Sequence, residues 1–326
     1  MPRLADARSE HIDAIFRESY ALWGAGLGYE DYRAFWNELS ETRWARSNLR
    51  YRAWLDDDGS LLSSLKLYRP RARVLNREGR VAGLGAVFTP RSQRGRGHAS
   101  ALIRAVLDEA REREDLAALL FSDVGAPFYH ALGFRELPAE EAWGDLDRSG
   151  PDLPRDWCLR PMKVSDLPDV MRAHDDACRD RPVTILRDRD YWEYLIERSR
   201  RFFARLDGSD LSFRFQVAVR GEEFVGYLAS VDSADVWIVR EVEALGGEPQ
   251  VALSIVRLGA TEARVRGRRR SYTWLPQSAR GAVTDWRPRF RRRRRAIPML
   301  QRLDDGPPAV ALDSPEAAFI PYLDQF

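Results

Sequence analysis

At 326 residues, 44% of them hydrophobic, the chain can bury two ordinary cores, and a formal net charge of +2 gives it no bulk field for a polyanion or a membrane surface. No apolar run approaches the roughly 18 residues of a membrane span and no basic-then-apolar stretch opens the chain, so the expectation is a cytoplasmic protein without a membrane segment. Cys158 and Cys178 are too few for a disulfide framework and too far apart for a Cys-x-x-Cys site. They read as buried apolar fillers in a reducing compartment, and His11, His98, His130 and His174 form no ligand pattern that would call for a metal.

In chain order, helical periodicity marks His11 to Tyr20 and Glu30 to Leu39. Strand-like runs follow at Tyr51 to Leu55 and Ser60 to Tyr68, joined by a turn at Asp56-Asp57-Asp58-Gly59. Trp23, Tyr29, Tyr32, Phe35 and Trp36 make the first helical region rich in aromatics, which at helical spacing belong more often to a core than to a binding wall. Val81 to Phe88 is an apolar strand with Gly and Ala interleaved, ended by Pro90. From His98, apolar residues at Ala99, Leu102, Ile103, Val106, Leu107 and Ala110 form one face of an amphipathic helix. Between strand and helix, Gly95 and Gly97 let backbone N–H groups approach a ligand. Those donors, the positive end of the helix dipole, Arg94 and Arg96 make an anion site suited to a pyrophosphate. The lysine and hydroxyl of a Walker loop are missing, and the glycine spacing is not that of a dinucleotide turn.

Arg94-x-x-Gly97-x-Ala99 between a strand and a helix resembles the acetyl-CoA motif of the GCN5-related N-acetyltransferases (GNAT), Arg/Gln-x-x-Gly-x-Gly/Ala. A second motif, Ser122-Asp123-Val124-Gly125-Ala126-Pro127-Phe128-Tyr129-His130-Ala131-Leu132-Gly133-Phe134, follows the apolar run Leu116 to Phe121 and is similar to that family's Asn-x-x-Ala-x-x-Phe-Tyr-x-x-x-Gly-Phe segment, with Ser122 and Gly125 in place of Asn and Ala. The same phrase, with Val87-Phe88-Thr89, is similar to the fungal free-lysine N-acetyltransferases. The resemblance implies acetyl-CoA as cosubstrate, held by Val87, Phe88, Arg94, Gly95, Arg96, Gly97, His98, Ala99, Ser122 and Phe128. It implies that a backbone N–H near Val87 and Phe88 polarises the thioester carbonyl and that the Tyr129 phenol serves as the acid for the leaving thiolate. Trp23, Trp36 and Asp123 are candidate acceptor contacts, although an Asp before a Gly/Pro turn is more often a turn residue.

A Gly/Pro cluster at Asp145 to Asp156 divides the chain into 1–150 and 151–326. The second part repeats the pattern: Leu159-Arg160-Pro161-Met162, a helix from Ser165, another at Tyr191 to Phe203, strands at Phe213 to Val219, Phe224 to Ser230 and Val236 to Val242, helix Pro249 to Arg264 and strand Ser271 to Leu275. Its junction Glu243-Ala244-Leu245-Gly246-Gly247-Glu248-Pro249 has no Arg-x-x-Gly-x-Ala loop, and two acidic residues there would repel phosphates. The expected fold is therefore α+β: tandem GNAT-like domains, each a mixed, mostly antiparallel sheet flanked by helices, the second degenerate and shaping the cleft of the first. Such tandem copies resemble the enhanced intracellular survival group of bacterial acetyltransferases, without its sterol-carrier-like domain. In that group the chain terminus returns to the active site, which makes the carboxylate of Phe326, at the end of an apolar tail, a candidate base.

The resulting expectation is transfer of an acetyl group to a primary amine of a small molecule, an amino acid or polyamine-like, by direct attack in a ternary complex. A homo-oligomer is left open. The competing reading rests on Arg264, Arg266, Arg268 to Arg270, Arg287, Arg289 and Arg291 to Arg295, a density that suits nucleic-acid phosphates. Near-neutral total charge and the lack of a nucleic-acid module weigh for a carboxylate-paired surface instead.

Overall fold

The structure, a computed structural model, describes residues 1–75, 77–146, 156–206, 210–274, 289–304, 312, 324 and 325. In chain order the first part contributes β1 (Arg3–Asp6), α1 (Ser9–Trp23), α2 (Tyr29–Ser40), α3 (Arg43–Asn48), β2 (Leu49–Leu55), β3 (Leu61–Tyr68), β4 (Arg71–Val74), β5 (Arg77–Phe88), α4 (His98–Glu112), β6 (Ala117–Ser122), α5 (Pro127–His130), β7 (Arg135–Glu136) and β8 (Glu140–Asp145). The second contributes β9 (Trp157–Pro161), α6 (Leu167–Cys178), β10 (Val183–Leu186), α7 (Arg189–Ala204), β11 (Ser212–Arg220), β12 (Glu223–Ser233), β13 (Val236–Ala244), α8 (Pro249–Val265), β14 (Arg270–Thr273), β15 (Arg289–Arg292) and β16 (Ile297–Arg302).

Two sheets organise these elements. One runs β1-β2-β3-β5-β6-β16-β7, with β4 on β5 and β10 on β4; the other runs β15-β8-β14-β13-β12-β11-β9. Each holds one parallel pair spanned by a helix: β5 and β6 are joined through α4, β13 and β14 through α8, and the remaining pairings are antiparallel. That repetition is the structural form of the doubled pattern in the sequence.

The division at 150/151 is crossed twice by the sheets. β8 belongs by sequence to the first part but lies between β14 and β15 of the second sheet, while β16 lies between β6 and β7 of the first. A further link pairs Val183–Leu186 with Arg71–Val74.

The helices α1, α2 and α3 cover one face of the first sheet. Phe16, Tyr32, Phe35 and Leu39 form a core there with Tyr191, Tyr194 and Leu195 of α7. Trp44 lies 4.5 Å from Tyr191 and 4.7 Å from Tyr194 by ring centroids, and Phe35 lies 5.6 Å from Phe202, so one aromatic core serves both parts of the chain. On the other face, α4 buries Leu102, Ile103, Val106, Leu107 and Ala110 against Leu65, Leu84 and Leu120. This is the apolar stripe that the periodicity predicts, with Ala99 at its half-buried start.

The fillers expected at the cysteines are corrected. Cys158 is exposed, and Cys178, although buried, sits among charged side chains.

Candidate active site

The first sheet is prised open where β5 and β6 part. Their parallel register holds from Val81↔Ala117 to Leu84↔Leu120, and then ends although both strands continue. The cause lies on the other edge of β5. Against β3, Gly85 faces Lys66 and Phe88 faces Ser64, so Ala86 and Val87 together oppose Leu65. This is a β-bulge, with Ala86 at φ +48°, and the extra residue bends β5 away from β6. Val87 and Phe88 occupy the bent end. Ser63 fixes it by donating its hydroxyl to the Phe88 carbonyl at 2.8 Å.

A single 3₁₀ turn, Arg91–Gln93, leads to the loop. Gly95 (φ +76°) and Gly97 (φ +79°) both use left-handed backbone, and nothing lies within 4 Å of where a Cβ would project. Gly97 is the N-cap of α4 and no side chain caps that helix start. The first amide donors, at His98 and Ala99, are left for a ligand. Arg94 donates to the Thr89 carbonyl at 3.1 Å and Arg96 to Gln93 at 3.4 Å, both exposed beside the loop. An open strand wedge ending on a doubly left-handed loop fits a pantetheine arm with a pyrophosphate at its end.

In the second motif, the Ser122 hydroxyl donates to the Gly125 carbonyl at 2.7 Å, within its own turn. Asp123 accepts from the Ala296 amide at 2.9 Å and so anchors the chain just before β16, which is the turn-residue role. Phe128 is partly exposed and meets Tyr129 edge-on at 4.9 Å. Tyr129 is 7% exposed, and its hydroxyl has no hydrogen-bond partner among the described residues. Burial, with the nearby Asp123 charge, pushes its pKa up to about 12.

Behind the bent end of β5, Trp23 packs edge-on against Phe88 with ring centroids 6.2 Å apart. Trp23 and Trp36 then face a cavity of about 430 Å³, whose far side is built by Phe202, Phe203 and Arg198 from the second part of the chain. Gln325 completes the wall and is held there by Arg198, which donates to its carbonyl at 2.9 Å. Thus the two tryptophans meet at one cavity, whereas Tyr129 lies with α4 on the opposite face of the sheet and Asp123 is on neither. Phe326 lies outside the described residues. The aromatic wall from α7 escaped the sequence reading, because Phe202 and Phe203 there look like the buried stripe of an amphipathic helix.

Among the described residues of the second part, no counterpart to the Gly95–Gly97 loop follows β13. After β13 the chain makes the turn Leu245–Gly247, where the Gly246 amide already donates to Asp176 at 2.9 Å and Gly247 is pressed against the Asp176 backbone. Several arginines of the two runs are paired: Arg266 binds Asp232 at 2.8 Å, Arg270 binds Asp235 at 2.9 Å, Arg291 and Arg292 reach Glu141 and Glu136, and buried Arg293 lies over Trp274. Arg287 is outside the described residues. No group of His, Cys, Asp and Glu among the described residues could hold a metal ion, and no described helix is long and apolar enough to cross a membrane.

The profile described as Acetyltransferase (GNAT) domain matches residues 8–137, the segment that carries the wedge, the glycine loop and the second motif. This segment is a GNAT domain. Solved structures extend the likeness of fold over the GNAT domain and the rest of the chain. A GCN5-related N-acetyltransferase from Anabaena variabilis is 14% identical with a TM-score of 0.70, over 93% of this chain and 73% of its own. Eis1 from Mycobacterium abscessus is 15% identical with a TM-score of 0.60, over 93% and 74%. A tandem GNAT protein from the clavulanic acid biosynthesis pathway is 14% identical with a TM-score of 0.53, over 94% and 100%. The tandem GNAT architecture expected from the sequence is the architecture of the molecule. No curated protein matches the chain in sequence.

Proposed function

We propose that this acyltransferase moves the acetyl group of acetyl-CoA to the primary amine of a small molecule with an apolar or aromatic body. The observation that carries the reading is the contact of Trp23 with Phe88, which sets an aromatic cavity directly against the bent strand end where the thioester carbonyl would be polarised. Between the two acceptor types expected, the lining favours the amino-acid-like one. Trp23, Phe35, Trp36, Phe202 and Phe203 offer ring faces, and no carboxylate is among the described lining residues, whereas a polyamine needs several.

In this reading each group has a task. The amides of the loop and of the α4 start hold the pyrophosphate, the backbone near Val87 and Phe88 polarises the carbonyl, and the cavity orients the amine for direct attack. Tyr129, protonated throughout the physiological range, delivers a proton to the departing thiolate. Burial of the Trp and Phe faces excludes water from the amine.

Calorimetric titration of acetyl-CoA into the wild type and a Gly97→Glu variant tests the cofactor assignment. Micromolar binding that the variant loses supports it, and folded wild type that takes up no heat of binding overturns it. A screen of aromatic amino acids and arylalkylamines against spermidine then tests the acceptor class.

A further inference from the structure

Away from the acetyl-transfer cleft, the remaining thiol has an unusual setting. Cys178, at the end of α6, places Sγ 3.6 Å from Nε2 and 3.9 Å from Nδ1 of His174, one turn earlier on the same helix. Nδ1 of that ring is 3.5 Å from Oε1 of Glu241 on β13. Glu241 is itself fixed: Arg187 donates to both its oxygens at 2.7 and 2.8 Å, and Tyr227 donates its hydroxyl to Oε1. Nε2 also lies 3.4 Å from the Ile185 carbonyl, so thiol, imidazole and carboxylate form a continuous chain whose ring is held by β10 as well as by Glu241. Other charged groups around it are Arg181 and Glu243, joined at 3.8 Å, Asp175, and Arg73, which donates to the Cys178 and Arg179 carbonyls at 3.0 and 2.8 Å. A thiol that only fills space needs none of these partners.

The thiol also borders empty space. Cys178, His174 and Arg187 line a cavity of about 410 Å³ that opens between Arg71, Glu78 and Arg179, all exposed. Electrostatics agrees with the geometry. Burial alone would raise the pKa of Cys178, but the charge and hydrogen bond of His174 outweigh it and hold the thiol below its ordinary range. The imidazole is raised to about 10 against the opposing effects of burial and Arg187, through Cys178 and Glu241.

We infer that Cys178 is a nucleophilic thiol, activated by His174 and Glu241, that forms a mixed disulfide with a low-molecular-weight disulfide entering this cavity. The Cys178 thiolate attacks one sulfur of the incoming disulfide. A new S–S bond forms to Cys178, the original S–S bond breaks, and the departing half leaves with the electron pair as a thiolate. Cys178 is oxidised and the expelled sulfur reduced, with no further reactant. His174 stays protonated and paired with Glu241.

The chain contains its own control, since Cys158 is exposed on β9 while Cys178 is 3% exposed. Native protein is incubated with oxidised glutathione at pH 7, quenched with an alkylating reagent and digested, and the adduct on each cysteine is followed by mass spectrometry. Accessibility alone would give Cys158 first. The expected result is the reverse, with Cys178 about tenfold faster or more, the order of advantage that thiols set beside an imidazolium show over ordinary ones. In a His174→Asn variant that keeps the wild-type circular dichroism spectrum, the advantage of Cys178 should vanish. Cys178 that takes the adduct no faster than Cys158 in the wild type, or only after denaturation, overturns the assignment. So does a folded His174→Asn protein with an unchanged Cys178 rate. If that variant does not fold, the wild-type comparison decides alone.

Discussion

Arg187 and Asp324 are 137 residues apart in sequence and meet as a fully buried ion pair, with Nη2 to Oδ2 at 2.8 Å and Nε to Oδ1 at 3.1 Å. The same guanidinium holds Glu241, so one cation ties the chain's last described stretch to β13 and to the turn before α7. Gln325, the next residue, stands on the wall of the cavity lined by Trp23, Trp36, Phe202 and Phe203, the proposed acceptor pocket.

Asp324→Asn removes one of the two charges that Arg187 neutralises. Breaking a buried pair from one side costs about 3 kcal/mol or more, read as a lower midpoint in urea. Because the chain just before Gln325 is then held less firmly, with only the bond from Arg198 to the Gln325 carbonyl left of the two described ties, KM for the amine should rise while the Kd for acetyl-CoA stays unchanged. Equal losses in both constants would contradict the placement of the tail at the acceptor side.

Glu243 gives a pH dependence of definite sign. Burial raises its pKa to about 6, against the pull of Arg181. Between the unfolded value near 4.5 and that folded value the native state binds more protons, so stability falls as pH rises through the window. Glu243→Gln should therefore gain about 2 kcal/mol at pH 8 and nothing at pH 4, by the conversion of about 1.4 kcal/mol per pKa unit. Urea titrations at the two pH values check it.

Tyr129→Phe separates chemistry from structure. The hydroxyl has no hydrogen-bond partner among the described residues, so its removal should change stability by less than about 1 kcal/mol. Loss of a general acid should lower kcat about 100-fold or more, with acetyl-CoA affinity retained. A kcat within a factor of two of the wild type would remove Tyr129 from the mechanism.

Lys66 is 4% exposed, with its Nζ 2.7 Å from the ring centroid of Trp36 and no carboxylate beside it among the described residues. Burial, helped by the charge of Arg198, holds the amine well below the ordinary lysine range. Between that lowered value and the ordinary lysine value the native state binds fewer protons than the unfolded chain, and at lower pH the buried charge is a cost that the unfolded chain does not bear. Lys66→Met should raise Tm at pH 7 by about 2 °C or more, and the gain should shrink to nothing as pH passes the ordinary lysine pKa. Thermal melts at pH 7 and pH 10.5 test the trend.

What was legible in the sequence shares one property: local pattern. The α4 stripe, the Gly95 and Gly97 loop and the strand before it are each encoded within some fifteen neighbouring residues, and they stand where the periodicity puts them. The strands that escaped notice are short or polar and gain their partners from afar. Arg71–Val74 alternates arginine with small apolar residues and waits for Val183–Leu186, while Ile297–Arg302 contains a proline that argues against a central strand. The site divided along the same line. Trp23 and Trp36 were marked in the first helical region, but the opposite wall comes from α7 and Gln325, which only the folded chain brings near.

The exchange of β8 and β16 bears on how this protein is made on the ribosome. When Ser122 has emerged, β6 carries the sequence Ala-Ala-Leu-Leu-Phe-Ser along an edge whose partner, Ile297–Arg302, has not been synthesised. At 5–20 residues per second, that edge stays open for roughly 10–40 s. Through that interval the β6 edge is open to pairing with another chain, and a premature stop between Ser122 and Ile297 leaves a sheet with an adhesive flank.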